Sequence, residues 1–257
     1  MTVSVAGLMP LLSGPFWLAA LVFLRVSALV SLLPAVGEQT VPVRVKLGVA
    51  IMFTLIVAPT VAPPVLPPQL PDFLWFALTE TLLGLALGLS LRLFVLALQT
   101  TGSMAAQSMS LAQILGGAAV EPIPAMGYVL VLGGLTLATI SGLHVEAARF
   151  VILSYEFFPI GQLPDVAMIA DWGVGRTGEA FALAFMLAAP FVIASVVYNL
   201  ALGVINRAMP QLMVAFVGAP VITWGGLFLL FAGAPILLSV WSDAFLSFLD
   251  QPDGTGR

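Results

Sequence analysis

The stretch NLALGVINRAMPQ, residues 199–211, closes an apolar run that holds no charged residue between positions 180 and 205. Three of its residues share one face of the predicted helix, because spacings of four and seven residues return to nearly the same angle: Asn199, Gly203 and Asn206. Arg207 stands where the apolar run ends, and Pro210 predicts the end of the helix. An apolar helix with such a polar stripe is expected to pack against specific protein as well as lipid.

The composition indicates an integral membrane protein. Of the 257 residues, 61% are hydrophobic and only 8% are charged, whereas a soluble domain is about a quarter charged. The net charge of −4 comes without a basic run that could hold nucleic acid. With no cysteine and one histidine, the chain is expected to have no disulfide, haem or zinc site, and no cofactor.

Six apolar segments are each long enough to cross a bilayer, since about 20 helical residues span about 30 Å. They are approximately 8–33, 47–66, 73–98, 123–143, 180–205 and 212–241. No basic residue precedes Arg25, so the first segment is expected to remain as a membrane helix. Prolines at positions 190, 220 and 235 fall inside the last two segments and are expected to break them. The predicted fold class is an all-α membrane protein of about six long, apolar, partly broken helices.

The connections between these segments are unequal. The first loop, 34–46, contains Arg44 and Lys46, which favour the cytoplasmic side. The proline-rich stretch 58–72 is expected to be extended, and 146–179 is predicted to be the longest polar connection.

Residues 99–126, QTTGSMAAQSMSLAQILGGAAVEPIPAM, have an unusual composition. They carry no charge before Glu121 but are rich in Gln, Ser, Thr, Met and Gly. This stretch is too polar for a lipid-facing helix and too apolar for a solvated loop. It suits either the lining of an internal passage or a re-entrant or surface loop, and composition does not separate the two.

No constellation for catalysis is found. His144 and Glu146 are two residues apart, so they point away from each other on a helix and cannot ligate one metal together. The sequence contains no G-x-S-x-G, no H-E-x-x-H and no glycine-rich phosphate loop. We therefore expect no enzyme activity, no catalytic residue and no metal site, and a structural histidine at a helix end.

Three charges fall inside apolar segments, where each must pair, reach the interface or face protein: Arg25, Glu80 and Arg92. Glu80 is followed by Gly84 and Gly88, a G-x-x-x-G spacing that lets a second backbone come close. This pattern favours helix packing over a proton relay, which would need several acids at successive depths.

Four blocks of the sequence are similar to a known family. They are 25–59, 78–93, 141–161 and 200–227, and the last contains LALGVINRAMPQLMVAFVGAPVITWGGL. The chain resembles the FliR family, the membrane export-gate component of flagellar type III secretion, related to the SctT proteins of injectisomes. It departs from the family's pattern at Gly142-Leu143-His144 and at Ala219-Pro220.

The resemblance implies an architecture and partners. FliR-type proteins assemble with FliP- and FliQ-type proteins into a hetero-oligomeric export gate of helical hairpins, and FlhB- and FlhA-type proteins are further expected partners. The gate passes unfolded secreted substrates across the bacterial inner membrane at the flagellar basal body. Residues 1–257 would form one integral membrane domain in contact with lipid. Its parts would be a FliP-like region, 1–145, a plug loop, 102–126, and a FliQ-like hairpin, 180–242.

Two groups of candidate site residues follow. Plug or pore candidates come from the unusual central stretch, although ordinary helix packing is an equal alternative for its first two methionines: Met104, Met109, Leu111, Gln113, Ile114, Leu115, Gly116 and Gly117. Assembly or packing candidates are the charged, amide, glycine and proline positions of the matching blocks: Arg25, Arg44, Lys46, Glu80, Gly84, Gly88, Asn199, Gly203, Asn206, Arg207, Pro210 and Gln211.

Three alternatives stay open. The chain could be an injectisome export-gate subunit, or an assembly protein with no pore contact. A small-solute secondary transporter would show an internal repeat and binding-site charges near the midplane, and neither is evident in the sequence.

Overall fold

The regular structure is helical throughout the part of the chain that the computed structural model describes, residues 15–62, 70–109, 125–163, 165–209 and 214–251. Seven α-helices occur there, with a short 3₁₀ turn, Ala58–Thr60, after the second. They are α1 Pro15–Leu32, α2 Val43–Val57, α3 Leu70–Met109, α4 Ala125–Ile140, α5 Leu143–Phe157, α6 Val166–Ala208 and α7 Val214–Asp250.

The helices confirm the predicted all-α membrane fold. Five are long and apolar enough to cross a membrane, and the pair α4 and α5 counts as a sixth if it forms one bent span. This pair bends by 77°, and Gly142 lies at the bend with a φ of +88°, a left-handed conformation that glycine adopts without steric penalty.

Two expectations about helix ends were wrong. Prolines were expected to break the last two apolar segments, but Pro190, Pro220 and Pro235 lie inside continuous helices. The break between two helices lies beside Gly142 instead. The polar connection predicted at 146–179 is mostly helix, because α5 and the start of α6 occupy it. α5 buries Ala147, Phe150 and other apolar residues on one face, so its charges belong to the outer face of an amphipathic helix.

The described residues form two compact units. The first comprises the described residues within Met1–Arg92, Thr139–Arg176 and Phe245–Arg257, and the second comprises those within Leu93–Ala138 and Thr177–Ala244. Each unit has its own set of polar contacts between helices.

The first unit is organised around an ion pair with no solvent exposure, Arg25 of α1 with Glu80 of α3. Arg25 Nε donates to one carboxylate oxygen at 2.8 Å and Nη2 donates to the other at 3.0 Å. The guanidinium also donates to the carbonyl oxygens of Ser154 and Phe158 at 3.3 and 2.9 Å, and it lies 3.8 Å from the ring centroid of Tyr155. One arginine therefore joins α1, α3 and the end of α5.

Glycines let α3 approach α1 beside this ion pair. A Cβ at Gly84 would overlap the carbonyl oxygen of Arg25, and a Cβ at Gly88 would lie 3.1 Å from the Cα of Leu29. The G-x-x-x-G spacing thus serves helix contact within the chain, since any side chain there would push the two helices apart.

A second ion pair ties the loop after α1 to α3. Arg92 pairs with Glu38, and its Nη2 donates to the other carboxylate oxygen at 3.3 Å. Lys46 donates to the carbonyl oxygen of Gly37 at 3.0 Å, whereas Arg44 is exposed.

Removing one partner of the buried ion pair should destabilise the first unit more than removing both. Arg25→Met leaves the Glu80 carboxylate buried without its cation, which is expected to cost about 3–5 kcal/mol. Arg25→Met/Glu80→Met removes both charges and should recover a large part of that loss. Thermal unfolding of the purified chain in detergent measures both effects, and additive losses in the double variant would contradict the coupling.

Candidate functional site in the second unit

Polar residues of the second unit are concentrated where α3 ends and where α6 and α7 meet. The predicted unusual stretch begins as helix, because α3 continues to Met109. Thr101 is fully buried there, with its hydroxyl 2.8 Å from the carbonyl oxygen of Ala97 and 3.2 Å from that of Ala184 in α6. The helix can therefore hold a polar residue inside the bundle, since its hydroxyl has an acceptor.

A short chain of hydrogen bonds joins α6 to the last turn of α3. The Ser195 hydroxyl donates to the Ser108 carbonyl oxygen. Asn199 Nδ2 lies 2.9 Å from the Ser195 carbonyl oxygen and 3.1 Å from its hydroxyl oxygen. Ser195 is almost fully buried, so this link fixes the end of α3 against α6. We call Ser108, Ser195 and Asn199 the polar clasp.

Met109, the last residue of α3, is packed against α7. It is 7% exposed, and a Cβ added to Gly226 would overlap its sulfur atom. Only a glycine at position 226 leaves room for this thioether in its present place. Met104 is half-buried. The other plug candidates lie outside the described residues: Leu111, Gln113, Ile114, Leu115, Gly116 and Gly117.

α4, which follows residues 110–124, packs closely against α3. A Cβ at Gly102 would collide with the backbone of Gly127, and both glycines are buried or nearly so. Further along, Trp241 donates its indole N–H to the carbonyl oxygen of Phe94 at 2.9 Å, and a Cβ at Gly134 would collide with a methyl group of Leu98. Both stems of the predicted plug loop are therefore held within the second unit.

α6 and α7 contact each other near their connected ends, as a helical hairpin requires. The Tyr198 hydroxyl donates to the carbonyl oxygen of Gly218 at 2.8 Å. A Cβ at Gly218 would lie 2.9 Å from a methyl group of Leu202. The predicted turn residues Pro210 and Gln211 lie outside the described residues.

The predicted polar stripe at the end of α6 has one half-buried residue and an exposed outer end. Asn199 is half-buried in the polar clasp, whereas Gly203, Asn206 and Arg207 are exposed. Among the described residues, no heavy atom outside the backbone of its own helix lies within 4 Å of a Cβ built at Gly203. The described part of the chain thus leaves the outer end of the stripe uncovered.

The remaining assembly candidates belong to the first unit. Arg25, Glu80, Gly84 and Gly88 make contacts within that unit, and Lys46 is tied to its own loop. Ser195 and Trp241 were not among the site residues predicted from the sequence. Ser195 gives no signal as a lone hydroxyl in an apolar run, whereas the indole N–H of a buried Trp241 does predict a need for an acceptor.

Residues 16–248 match the sequence profile of bacterial export proteins, family 1. The flagellar biosynthetic protein FliR of Caulobacter vibrioides is 34% identical over 238 residues, 91% of this chain and 95% of that protein. The chain belongs to the FliR family of bacterial export proteins. FliR of Escherichia coli K12 is 31% identical over 218 residues, 83% of each chain. FliR of Bacillus subtilis is 26% identical over 209 residues, 78% and 79% of the two chains.

Family membership confirms the resemblance drawn from the four sequence blocks. Together with the apolar helices, it identifies the chain as an integral membrane export protein. Among the described residues, no group of three His, Cys, Asp or Glu side chains could hold a metal ion.

Loss of the Ser195 hydroxyl should loosen the end of α3. Ser195→Ala removes the donor to the partly buried Ser108 carbonyl oxygen, and interhelical hydrogen bonds of this kind contribute about 0.6 kcal/mol on average. The matched control is Ser239→Ala, whose exposed hydroxyl donates only within its own helix, to Ile236. The midpoint temperature of thermal unfolding in detergent should fall by about 1–3 °C for the Ser195 variant. Equal effects of the two variants would contradict a clasp between helices.

Proposed function

We propose that this chain is a non-enzymatic subunit of the flagellar type III protein export gate. Unfolded flagellar substrates would cross the inner membrane at the basal body through the channel that it forms with partner subunits. The observation that supports this most directly is the family match, which covers residues 16–248, with relatives from three organisms named flagellar biosynthetic proteins.

Helix length supports the need for partner subunits. α3, α6 and α7 contain 40, 43 and 37 residues, so even α7 is about 56 Å long at 1.5 Å per residue. Fitting α7 into a hydrocarbon layer of about 30 Å would need a tilt near 60°, beyond the observed range of up to about 40°. Part of each of these helices therefore extends outside the lipid tails, where partner subunits would cover its apolar residues.

The surface of the hairpin fits such partners. Trp224 and Phe228 stack with centroids 5.8 Å apart, and both are exposed on α7 together with Phe231. Aromatic side chains at this density are typical of protein interfaces. We assign this surface to FliP- and FliQ-type subunits, with FlhB- and FlhA-type proteins as further partners of the assembled gate.

Within one export-gate domain, 1–257, we propose a FliP-like part, 1–145, and a FliQ-like hairpin, 180–242. The contact between Tyr198 and Gly218 supports the hairpin. We further propose that residues 102–126 form a plug loop that helps to close the channel. The polar clasp and the seat of Met109 on Gly226 support this assignment, because they would hold one stem of the loop in place.

The contacts of Glu80 disfavour the transporter alternative. Its carboxylate is bound by Arg25, lies 3.4 Å from the Tyr155 hydroxyl, and accepts from the Gly161 N–H at 3.3 Å. A carboxylate saturated in this way is a structural group, since ion coupling needs an acid that can exchange its partner. The names of the relatives favour a flagellar gate over the injectisome alternative.

Loss of the exposed cation at the end of the hairpin should impair assembly. Arg207→Ala is expected to leave the amount of this chain in the membrane unchanged but to reduce co-purification of FliP- and FliQ-type subunits in a gentle detergent pull-down. Pro210→Leu should act in the same direction. The matched control is Arg149→Ala, which removes another exposed arginine, one paired with Asp250 at 3.3 Å. Full partner recovery with both Arg207 and Pro210 variants would refute the assembly role.

Deletion of residues 116–122 should raise ion leakage through the assembled gate, because it shortens the proposed plug. Conductance of cells or vesicles that contain the full complex measures the leak, and deletion of the tail 251–257 provides a control of equal length. An unchanged leak in a complex that still assembles would show that these residues are not a plug.

A further inference from the structure

The first unit has an exposed apolar face on α3 that none of the described residues covers. Leu78, Leu82, Leu85 and Leu89 lie on this face, with exposed fractions between 40% and 51%. Their spacings of four, three and four residues align them along one side of the helix. α2 adds further exposed aliphatic side chains, including Met52 and Leu55.

Another side of α3, about 110° around the helix, shows what this helix uses for contact with protein. There Gly84 and Gly88 bring its backbone against α1. Helix contacts inside membranes are enriched in such small residues, which allow close backbone approach. The outer face has large flexible aliphatic side chains instead, and these match lipid tails.

Aromatic residues mark one end of this face. The rings of Trp17 and Phe73 lie 4.8 Å apart, and Phe16 packs edge-on against Trp17 at 5.7 Å. Trp75, two residues after Phe73 in α3, is half exposed. Tryptophan is enriched where lipid tails meet headgroups, because its ring is apolar and its N–H is polar.

Charged residues mark the other end. The Arg92–Glu38 ion pair, Lys46 and Arg44 all lie at or beside the loop that follows α1. From Trp75 to Arg92 the helix rises about 26 Å, close to the thickness of a hydrocarbon layer of about 30 Å. The length of the aliphatic face along the helix therefore matches the thickness of the hydrocarbon layer.

Arg44 differs from its basic neighbours. Arg92 is neutralised by Glu38, and the Lys46 ammonium donates to a backbone carbonyl. Arg44 is exposed at the start of α2, a helix with no acidic residue. A guanidinium at the edge of an aliphatic face is complementary to a phosphate group, which it can bind through two parallel hydrogen bonds.

We propose that this face is the lipid contact of the first unit, and that Arg44 binds the headgroup of an anionic phospholipid. Trp17 and Trp75 then lie at the opposite interface. The inference goes beyond the export function and does not depend on it, since it concerns only where the bilayer meets this chain.

The natural absence of cysteine makes the face accessible to single-cysteine labelling. In the assembled complex, in nanodiscs of phosphatidylglycerol and phosphatidylethanolamine, a nitroxide at Leu82→Cys or Leu85→Cys should collide often with oxygen and rarely with a water-soluble nickel chelate. Val43→Cys, beside Arg44, is the matched interface position and should show more collisions with nickel. Low collision rates with both reagents at positions 82 and 85 would mean that a protein partner covers the face, and high nickel rates would mean water. Either result overturns the proposal.

The amount of anionic lipid that co-purifies with the complex tests the proposed role of Arg44. Arg44→Gln should lower the phosphatidylglycerol that co-purifies with the complex by about fivefold, since one basic residue near an anionic surface contributes about 1 kcal/mol. Arg44→Lys should keep most of it, and Arg149→Gln, which removes an exposed arginine elsewhere in the first unit, should keep all of it. Equal phosphatidylglycerol in all three variants would overturn the headgroup assignment.

Discussion

The first unit depends on the burial of one positive and one negative charge. Arg25 and Glu80 are both inaccessible to solvent, and charges in such a place stabilise a fold only when their geometry is good and their remaining hydrogen-bonding groups have partners. Both conditions are met. The guanidinium binds the carboxylate through two nitrogens and directs its other donors to the end of α5. Segments 55 and 129 residues from Arg25 are thereby fixed in one place.

The second unit is held by contacts between neutral groups. Its helices meet at glycines, at the Met109 thioether and through hydrogen bonds between neutral groups. Neutral hydrogen bonds between membrane helices contribute about 0.6 kcal/mol each, whereas breaking a buried ion pair costs about 3–5 kcal/mol. Methionine also adapts its shape at small cost. The first unit therefore depends on buried charges, and the second on neutral contacts that each contribute less.

The helical membrane fold was predictable because apolar length alone predicts it. The bend beside Gly142 and the helical course of 146–179 were not, since charges on α5 alternate with a buried face whose partners lie far away in sequence. The sequence identified Arg25 and Glu80 as charges that needed partners, but not as partners of each other, because their separation of 55 residues leaves no periodic trace. The role of Ser195 could not be predicted, because its hydrogen-bond acceptor lies at the end of α3, far away in sequence. The prediction that prolines break the last two segments was wrong, because helices in a packed bundle can continue past a proline.

The Arg25–Glu80 pair also constrains how the protein is made. The ribosome adds Arg25 first and needs several seconds, at about 5–20 residues per second, to reach Glu80. During that interval an α1 in the lipid interior would carry an unneutralised guanidinium, which the bilayer disfavours. Pairing with Glu80 can remove this cost only after α3 has been made, so the stability of α1 in the membrane depends on a helix that is synthesised later.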